Sequence, residues 1–239
     1  MVQDVSTFDG QAFAAAMARS SEHGHAYVAG LASQHDAAAQ TVLGQMLLDG
    51  IGCAAQPSEA IYWFMQAAHA GSSMAMNMLG RCHENGWGTR IDHDLATVWF
   101  RKAAHAGLDW GMYNYAHSLE QGRGVPLDRR GAFEWFGKAA GLGHARAQCF
   151  LARFYEHGWE TARDWPRARD LFRASAEAGD YRGECAWASV LAAEGDLDGA
   201  RLFLERGLAK APPMFIETMR ETLVASDDGR IRALAATCG

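Results

Sequence analysis

Ten histidines, five cysteines and a ladder of glutamates are the groups of this sequence that could ligate a metal or move a proton. Asp92-His93-Asp94 has the composition of a ligand cluster. Consecutive residues point to different sides of a helix, however, and an aspartate at this place reads better as a helix cap. His69 and His105 each precede an Ala-Gly pair and suit a helix C-terminus, where an imidazolium meets the negative end of the helix dipole. Cys53, Cys82, Cys149, Cys185 and Cys238 are odd in number and form no CxxC or Cys/His metal spacing. They read as free thiols in a reducing compartment, which predicts a cytoplasmic protein. No G-x-S-x-G elbow and no HExxH occurs, and the Gly-x-Gly pairs lack the third glycine and the preceding strand of a nucleotide loop. Glu84, Glu120 and Glu156 recur at a fixed step. Neighbouring helices about 10 Å apart would hold them too far from one another for a shared acid/base reaction. No catalytic residue, metal site or cofactor is expected.

The regularity of those glutamates leads to the elements that must carry them. AQTVLG, AMNMLG, GMYNYA, AQCFLA and GECAWA end at positions 44, 80, 116, 152 and 188, a constant step of 36. Gly50/Gly52, Gly86/Gly88 and Gly122/Gly124 keep it, and the next pair is broken as Gly158/Glu160. Trp63, Trp99 and Trp135 recur before Leu171, and Gly71, Gly107, Gly143 and Gly179 close each unit. A fixed period of this length signals a repeat architecture. Within a unit Ala39, Leu43 and Leu47 share one helical face, and Gly50 suits the left-handed position past a helix end. Asp92, Asp128 and Asp164 would cap a second helix, with Pro57 and Pro166 in its first turn. Ala60, Trp63, Phe64 and Ala67 then form its buried stripe, with the tryptophans placed between neighbouring units. Of Met74, Met76 and Met78, Met76 is expected to face the core.

Net charge is −6, which disfavours general binding to nucleic acid or to anionic lipid. No apolar run is long enough to span a membrane, and the N-terminal segment, with Asp4 and Asp9 and no early cation, does not read as a secretory signal. Residues 1–36 are read as N-terminal capping helices, 37–210 as the repeats and 211–239 as C-terminal capping helices. Residues 6–19 and 24–34 form the first cap, and Met214–Ala225 a closing helix followed by a short final one. The fifth unit is shortened, since Ala200 follows Ala168 by 32 residues.

The stretch Gly122-Arg-Gly124-Val125-Pro-Leu-Asp128-Arg-Arg-Gly131-Ala132-Phe-Glu-Trp135-Phe-Gly-Lys138-Ala139-Ala140 resembles the Sel1-like repeat family at nearly every fixed position. Gly131 departs, where the family favours lysine. The resemblance covers residues 37–180 well and the flanks weakly. It implies an all-α fold, a right-handed α/α superhelix (solenoid) of about five helix-turn-helix repeats with capping helices, similar to tetratricopeptide repeats. It also implies a protein-binding adaptor role. One secreted subgroup carries a cysteine pair in each repeat and has been linked to β-lactam binding; this chain lacks those pairs.

In such solenoids the first helix of each unit lines the concave face. With Leu43 and Leu47 turned inward, the outward rows are Thr41, Asn77, Tyr113 and Cys149; Gln45, Arg81, His117 and Arg153; and Leu48, Glu84, Glu120 and Glu156. Each Arg and Glu three apart on one helix could simply form a solvated pair. Alternatively the rows make a peptide groove of mixed charge, with Tyr113 as an apolar anchor. The groove is assigned as Thr41, Gln45, Asn77, Arg81, Glu84, Tyr113, His117, Glu120, Arg153 and Glu156. The expected role is a bacterial cytosolic adaptor or scaffold that binds another protein or peptide. An immunity protein neutralising a cognate toxin is the alternative, and an enzyme with a cryptic site a third reading.

Overall fold

Short polar side chains start most of the helices, and glycines end them. A computed structural model describes residues 7–235 and contains, among them, fourteen helices and no strand. They fall into two compact units, divided in sequence between Asp128 and Arg129. The N-terminal unit holds α1 (Gly10–Arg19), α2 (Ser21–Ala32), α3 (Ala37–Asp49), α4 (Pro57–His69), α5 (Ser73–Asn85), α6 (His93–His105) and α7 (Asp109–Gln121). The C-terminal unit holds α8 (Arg129–Gly141), α9 (Ala145–His157), α10 (Trp165–Glu177), α11 (Tyr181–Glu194), α12 (Leu197–Leu208), α13 (Pro213–Val224) and α14 (Gly229–Ala233). The all-α repeat fold expected from the sequence is therefore present. Residue 6 of the expected first cap and Cys238 lie outside the described residues.

Asp92 caps α6 by accepting from the Leu95 amide at 2.9 Å, and Asp164 caps α10 by accepting from the Arg167 amide at 3.1 Å. First helices have caps of their own, one repeat apart. Asp36, Ser72 and His144 accept from the amides of Ala39, Ala75 and Ala147 at 2.7, 3.2 and 3.1 Å. Leu108 stands at the corresponding place before α7 and has no side-chain oxygen to offer.

Each first helix ends on a glycine in the left-handed region, as at Gly86 with φ 74°, and the second glycine of the pair, Gly88, repeats this at φ 72°. Gly88 also needs its missing side chain. A Cβ there would press on the backbone of Pro57 and Ser58, where α4 begins, and Gly52 and Gly124 lie in the same way on Ser21 at the start of α2 and His93 at the start of α6. The loop is fastened at that place by hydrogen bonds from Ser58 Oγ to the Gly88 carbonyl (3.2 Å) and from Thr97 Oγ1 to the Arg123 carbonyl (2.9 Å). In the C-terminal unit Glu160 takes the second glycine's place at φ 57°, an uncommon angle for a residue with a side chain. Arg130 donates to its carbonyl at 3.3 Å.

Inside each hairpin the packing differs from expectation. The fully buried aromatic of the second helix is the phenylalanine after the tryptophan, Phe64, Phe100 and Phe136, and Phe172 after Leu171 is buried at the same place. A Cβ on Gly44 would fall 2.6 Å from the Phe64 ring, and one on Gly80 would overlap Phe100, so first and second helices approach as closely as only glycine allows. Trp99 is 7 % exposed, whereas Trp63 and Trp135 are half-buried, and Lys102 and Lys138 lie over the rings of Trp99 and Trp135. Among the methionines Met76, half-buried, packs against the core as expected, Met78 is buried and Met74 exposed.

The flanks differ from the repeats. Phe8 and Phe13 of the first hairpin pack on the core of the N-terminal unit, and the Phe8 amide donates to Asp36 at 2.9 Å. Between α11 and α12 the glycine loop is lost, leaving Gly195-Asp196 as the link. That hairpin is held instead by Glu184, fully buried, which meets Arg206 at 3.0 Å and Lys210 at 2.9 Å. The closing helix spans Pro213–Val224, one residue earlier at each end than expected, and α14 follows it.

Removing Phe100 would leave a cavity against Gly80, so Phe100→Ala is expected to destabilise the N-terminal unit by about 3–5 kcal/mol, and Trp99→Ala by a similar amount. Trp63→Ala, at a half-buried ring, should cost clearly less. Urea denaturation of the three variants checks the order, and a loss for Trp63→Ala equal to that of Phe100→Ala would contradict it.

Candidate functional site

The inner sides of α3, α5 and α7 are committed to the core, which leaves one stripe of each helix for contact with other molecules. The stripes lie side by side and run in the same direction. Asn114 Nδ2 of α7 donates to Asn77 Oδ1 of α5 at 2.8 Å, and Arg123, just past the end of α7, reaches Glu84 near the end of α5 at 3.6 Å. At the opposite ends Thr41 Oγ1 and Ser72 Oγ are 3.0 Å apart.

The first predicted row is a seam. Asn77 is 4 % exposed and Tyr113 6 %, and Cys149 is buried in the C-terminal unit. Thr41, half-buried, donates to the Ala37 carbonyl at 2.8 Å. Tyr113 therefore does not stand open as an anchor. Its ring meets Trp110 and His117 edge-on, with centroids 6.3 and 5.9 Å away. At Asn77 the reason is the close approach of α7 to α5, which the Asn114–Asn77 hydrogen bond spans.

The other two rows reach solvent. Gln45 donates to Asp49 at 2.6 Å. Arg81 is exposed and lies over the Trp87 ring at 4.9 Å rather than pairing with Glu84, its neighbour one turn on. Glu84 instead pairs with Arg123 from the following repeat. His117 lies 3.4 Å from Gln121 Nε2, and Glu120 is half-buried. In the C-terminal unit Arg153 is exposed near Phe150, and Glu156 lies 3.6 Å from His157, whose ring stacks on Trp159. The Arg81–Glu84 pair that the spacing allowed is thus replaced by contacts to a tryptophan and to a loop arginine.

Two recesses open on these stripes. One of about 480 Å³ in the N-terminal unit is lined by Gln45, Leu48, Asp49, Arg81 and Trp87. One of about 450 Å³ in the C-terminal unit has Arg153 and Glu156 at α9, Phe172 and Val190 as apolar wall, and Met219 and Ile231 contributed by α13 and α14. Trp87 and Asp49 are lining residues that the three rows did not include. Trp87 could have been found as the middle residue of a Gly-x-Gly pair, a loop position that Ile51 and Trp159 share one repeat before and two repeats after.

Among the described residues no group of three or more His, Cys, Asp or Glu side chains gathers to hold a metal ion. Asp92 is engaged as a cap. Burial pushes the Cys82 thiol up to about 11 and the Cys149 thiol up to about 12. The reactive thiolate is therefore scarce at both near neutrality. Among the described residues no helix is long and apolar enough to cross a membrane.

The comparisons with known proteins agree with this geometry. A family model described as Sel1 repeat matches residues 37–72, 73–108, 111–144 and 145–180. No curated protein matches the sequence. Among solved structures, a protective antigen of uropathogenic Escherichia coli strains displaying an SLR fold is 21% identical, with a TM-score of 0.70 over 91% of this chain and 49% of that one. This chain thus spans about half the length of that protein. A Sel1 repeat protein from Oxalobacter formigenes is 22% identical, with a TM-score of 0.69 over 85% of this chain and 87% of that one. An immunity protein from Pseudomonas aeruginosa is 17% identical, with a TM-score of 0.55 over 84% and 75% of the two chains. At these identities the likeness is one of fold.

With both thiols buried and held protonated, Cys82 and Cys149 should resist a disulfide reagent at about pH 8 until the chain unfolds. Mass spectrometry of the labelled native protein checks this, and prompt modification of either residue would contradict the burial described.

Proposed function

Because this chain belongs to the Sel1 repeat family, whose members generally mediate protein–protein interaction, we propose that it is a bacterial cytoplasmic adaptor holding one partner protein on its first-helix stripes. The observation that supports this best is the stripe itself. Arg81 lies over the Trp87 ring and is exposed, so this charged group is oriented before a partner arrives. Side chains fixed in advance lose less conformational freedom on binding. In this reading Gln45, Arg81, Glu84, His117 and Glu120 meet the partner in the N-terminal unit, and Arg153 and Glu156 in the C-terminal unit. Thr41, Asn77 and Tyr113 support them from beneath.

Reversing charge at Arg81 and Arg153 tests the reading. The Arg81→Glu/Arg153→Glu variant should lose the partner that the unaltered chain recovers from native lysate. Recovery of the same partner at undiminished yield would reject Arg81 and Arg153 as contacts.

A second reading, an immunity protein that neutralises a cognate toxin, is favoured by a specific observation. Two of the similar solved structures are described as immunity proteins from Pseudomonas aeruginosa. Co-expression with a toxin encoded beside this chain separates the two: restored growth supports immunity, and unrelieved toxicity supports the adaptor.

A further inference from the structure

Trp110 and Met74 stand one repeat apart, in the first turns of α7 and α5, and remain 42 % and 43 % exposed. Exposed large apolar side chains at the same place in successive repeats suit a partner's apolar group. Trp110 is also held in place, its ring perpendicular to that of the buried Tyr113. At the other end of the same stripes lie Asp49, Glu84 and Glu120, in the last turns of α3, α5 and α7. The parallel helices bring their negative dipole ends to this edge as well. Residues 1–128 contain 12 Asp and Glu against 6 Lys and Arg, whereas residues 129–239 contain 16 of each, so the whole net charge of the chain belongs to the N-terminal unit.

From this we infer that the first-helix stripes of the N-terminal unit take a net-basic protein segment that also carries one apolar anchor. The anchor lies on Trp110 and Met74, and a lysine or arginine reaches the carboxylates at the far edge. The inference rests on the binding-module reading and adds the chemistry of the partner to it. Trp110 and Glu120 are ten residues apart on one helix, which at 1.5 Å per residue is about 15 Å. An extended segment covers that distance in about four to five residues, and this sets the spacing between anchor and cation. The excess of carboxylates adds long-range attraction for a basic partner and repels an acidic one. Arg81, over the Trp87 ring, and Arg123 stand among these three carboxylates and offset two of them, so the edge keeps an excess of one and the wider attraction comes from the net charge of the unit. The Arg123–Glu84 contact, at 3.6 Å and with both side chains partly exposed, is of the weak surface kind that an incoming cation can replace.

The test uses fluorescein-labelled peptides of about 15 residues, with one tryptophan or leucine and one lysine or arginine placed about three to eight residues apart. Matched peptides carry glutamate in place of the cation. Fluorescence anisotropy with the full chain, at about 20 and about 300 mM salt, is the readout. Basic peptides with the four- to five-residue spacing should bind about tenfold more tightly than their acidic twins, and more weakly at the higher salt. Trp110→Ala and the double variant Glu84→Gln/Glu120→Gln should each weaken binding by about tenfold while circular dichroism stays unchanged. Equal binding of the acidic twins, no saturation of any basic peptide below about 1 mM, or unchanged affinity in both variants would overturn the inference. If the charge-reversal variant loses its native partner while the basic peptides fail to bind, this inference falls and the binding-module reading stands. If both that variant and Trp110→Ala keep the native partner at full yield, the reading itself falls.

Discussion

The loop between the two helices of a repeat must lie directly on the backbone that opens the second helix of the repeat before it. Gly52, Gly88 and Gly124 make this contact on Ser21, Pro57 and His93, and at each a side chain would collide with main-chain atoms. A second close approach shuts the α3–α4 and α5–α6 hairpins, with Phe64 against Gly44 and Phe100 against Gly80, while Ala116 and Ala152 take the glycine's place in the next two repeats. One contact closes the unit and the other joins it to its neighbour. A two-helix unit cannot bury its apolar faces alone, so both are needed before any of the alanine-rich surface leaves water.

Once those inner faces are committed, the solvent-facing rows of the first helices carry little of the packing, while the row of Asn77 and Tyr113 stays buried. In the proposed reading this is the link from fold to function. Polar and charged residues can change there without disturbing the loops that fix the repeat. Where the repeat pattern decays, other interactions take over its role. Glu160 occupies a position that favours glycine, at φ 57°, and Arg130 holds its carbonyl. The last hairpin has lost its glycine loop, and Glu184 binds Arg206 and Lys210 in a buried cluster instead. A buried carboxylate requires such partners, since its desolvation would otherwise oppose folding.

The period, the helix ends and the glycine loops were legible in the sequence because each depends on local backbone chemistry. Asp92 and Asp164 cap as expected, and Gly86 and Gly88 adopt the left-handed angles that their spacing implied. What depends on distances between helices was less legible. Trp63 and Phe64 are adjacent and both fit an apolar stripe, and only the close approach at Gly44 selects Phe64 for the interior. Asn77 and Tyr113 point away from the hairpin core yet are covered, because the neighbouring first helix sits close enough for Asn114 to reach Asn77. Arg81 and Glu84 have the spacing of an ion pair, but a tryptophan and a loop arginine reach them first.

A surface of ordered charges beside an exposed tryptophan is suited to recognising a protein segment by both charge and shape. Hydrogen–deuterium exchange on the chain alone and in complex with its partner tests this most directly. The account predicts slowed exchange in α3, α5 and α7 with α4 and α6 unchanged. Protection confined to α4 and α6, with the first helices unaffected, would contradict it.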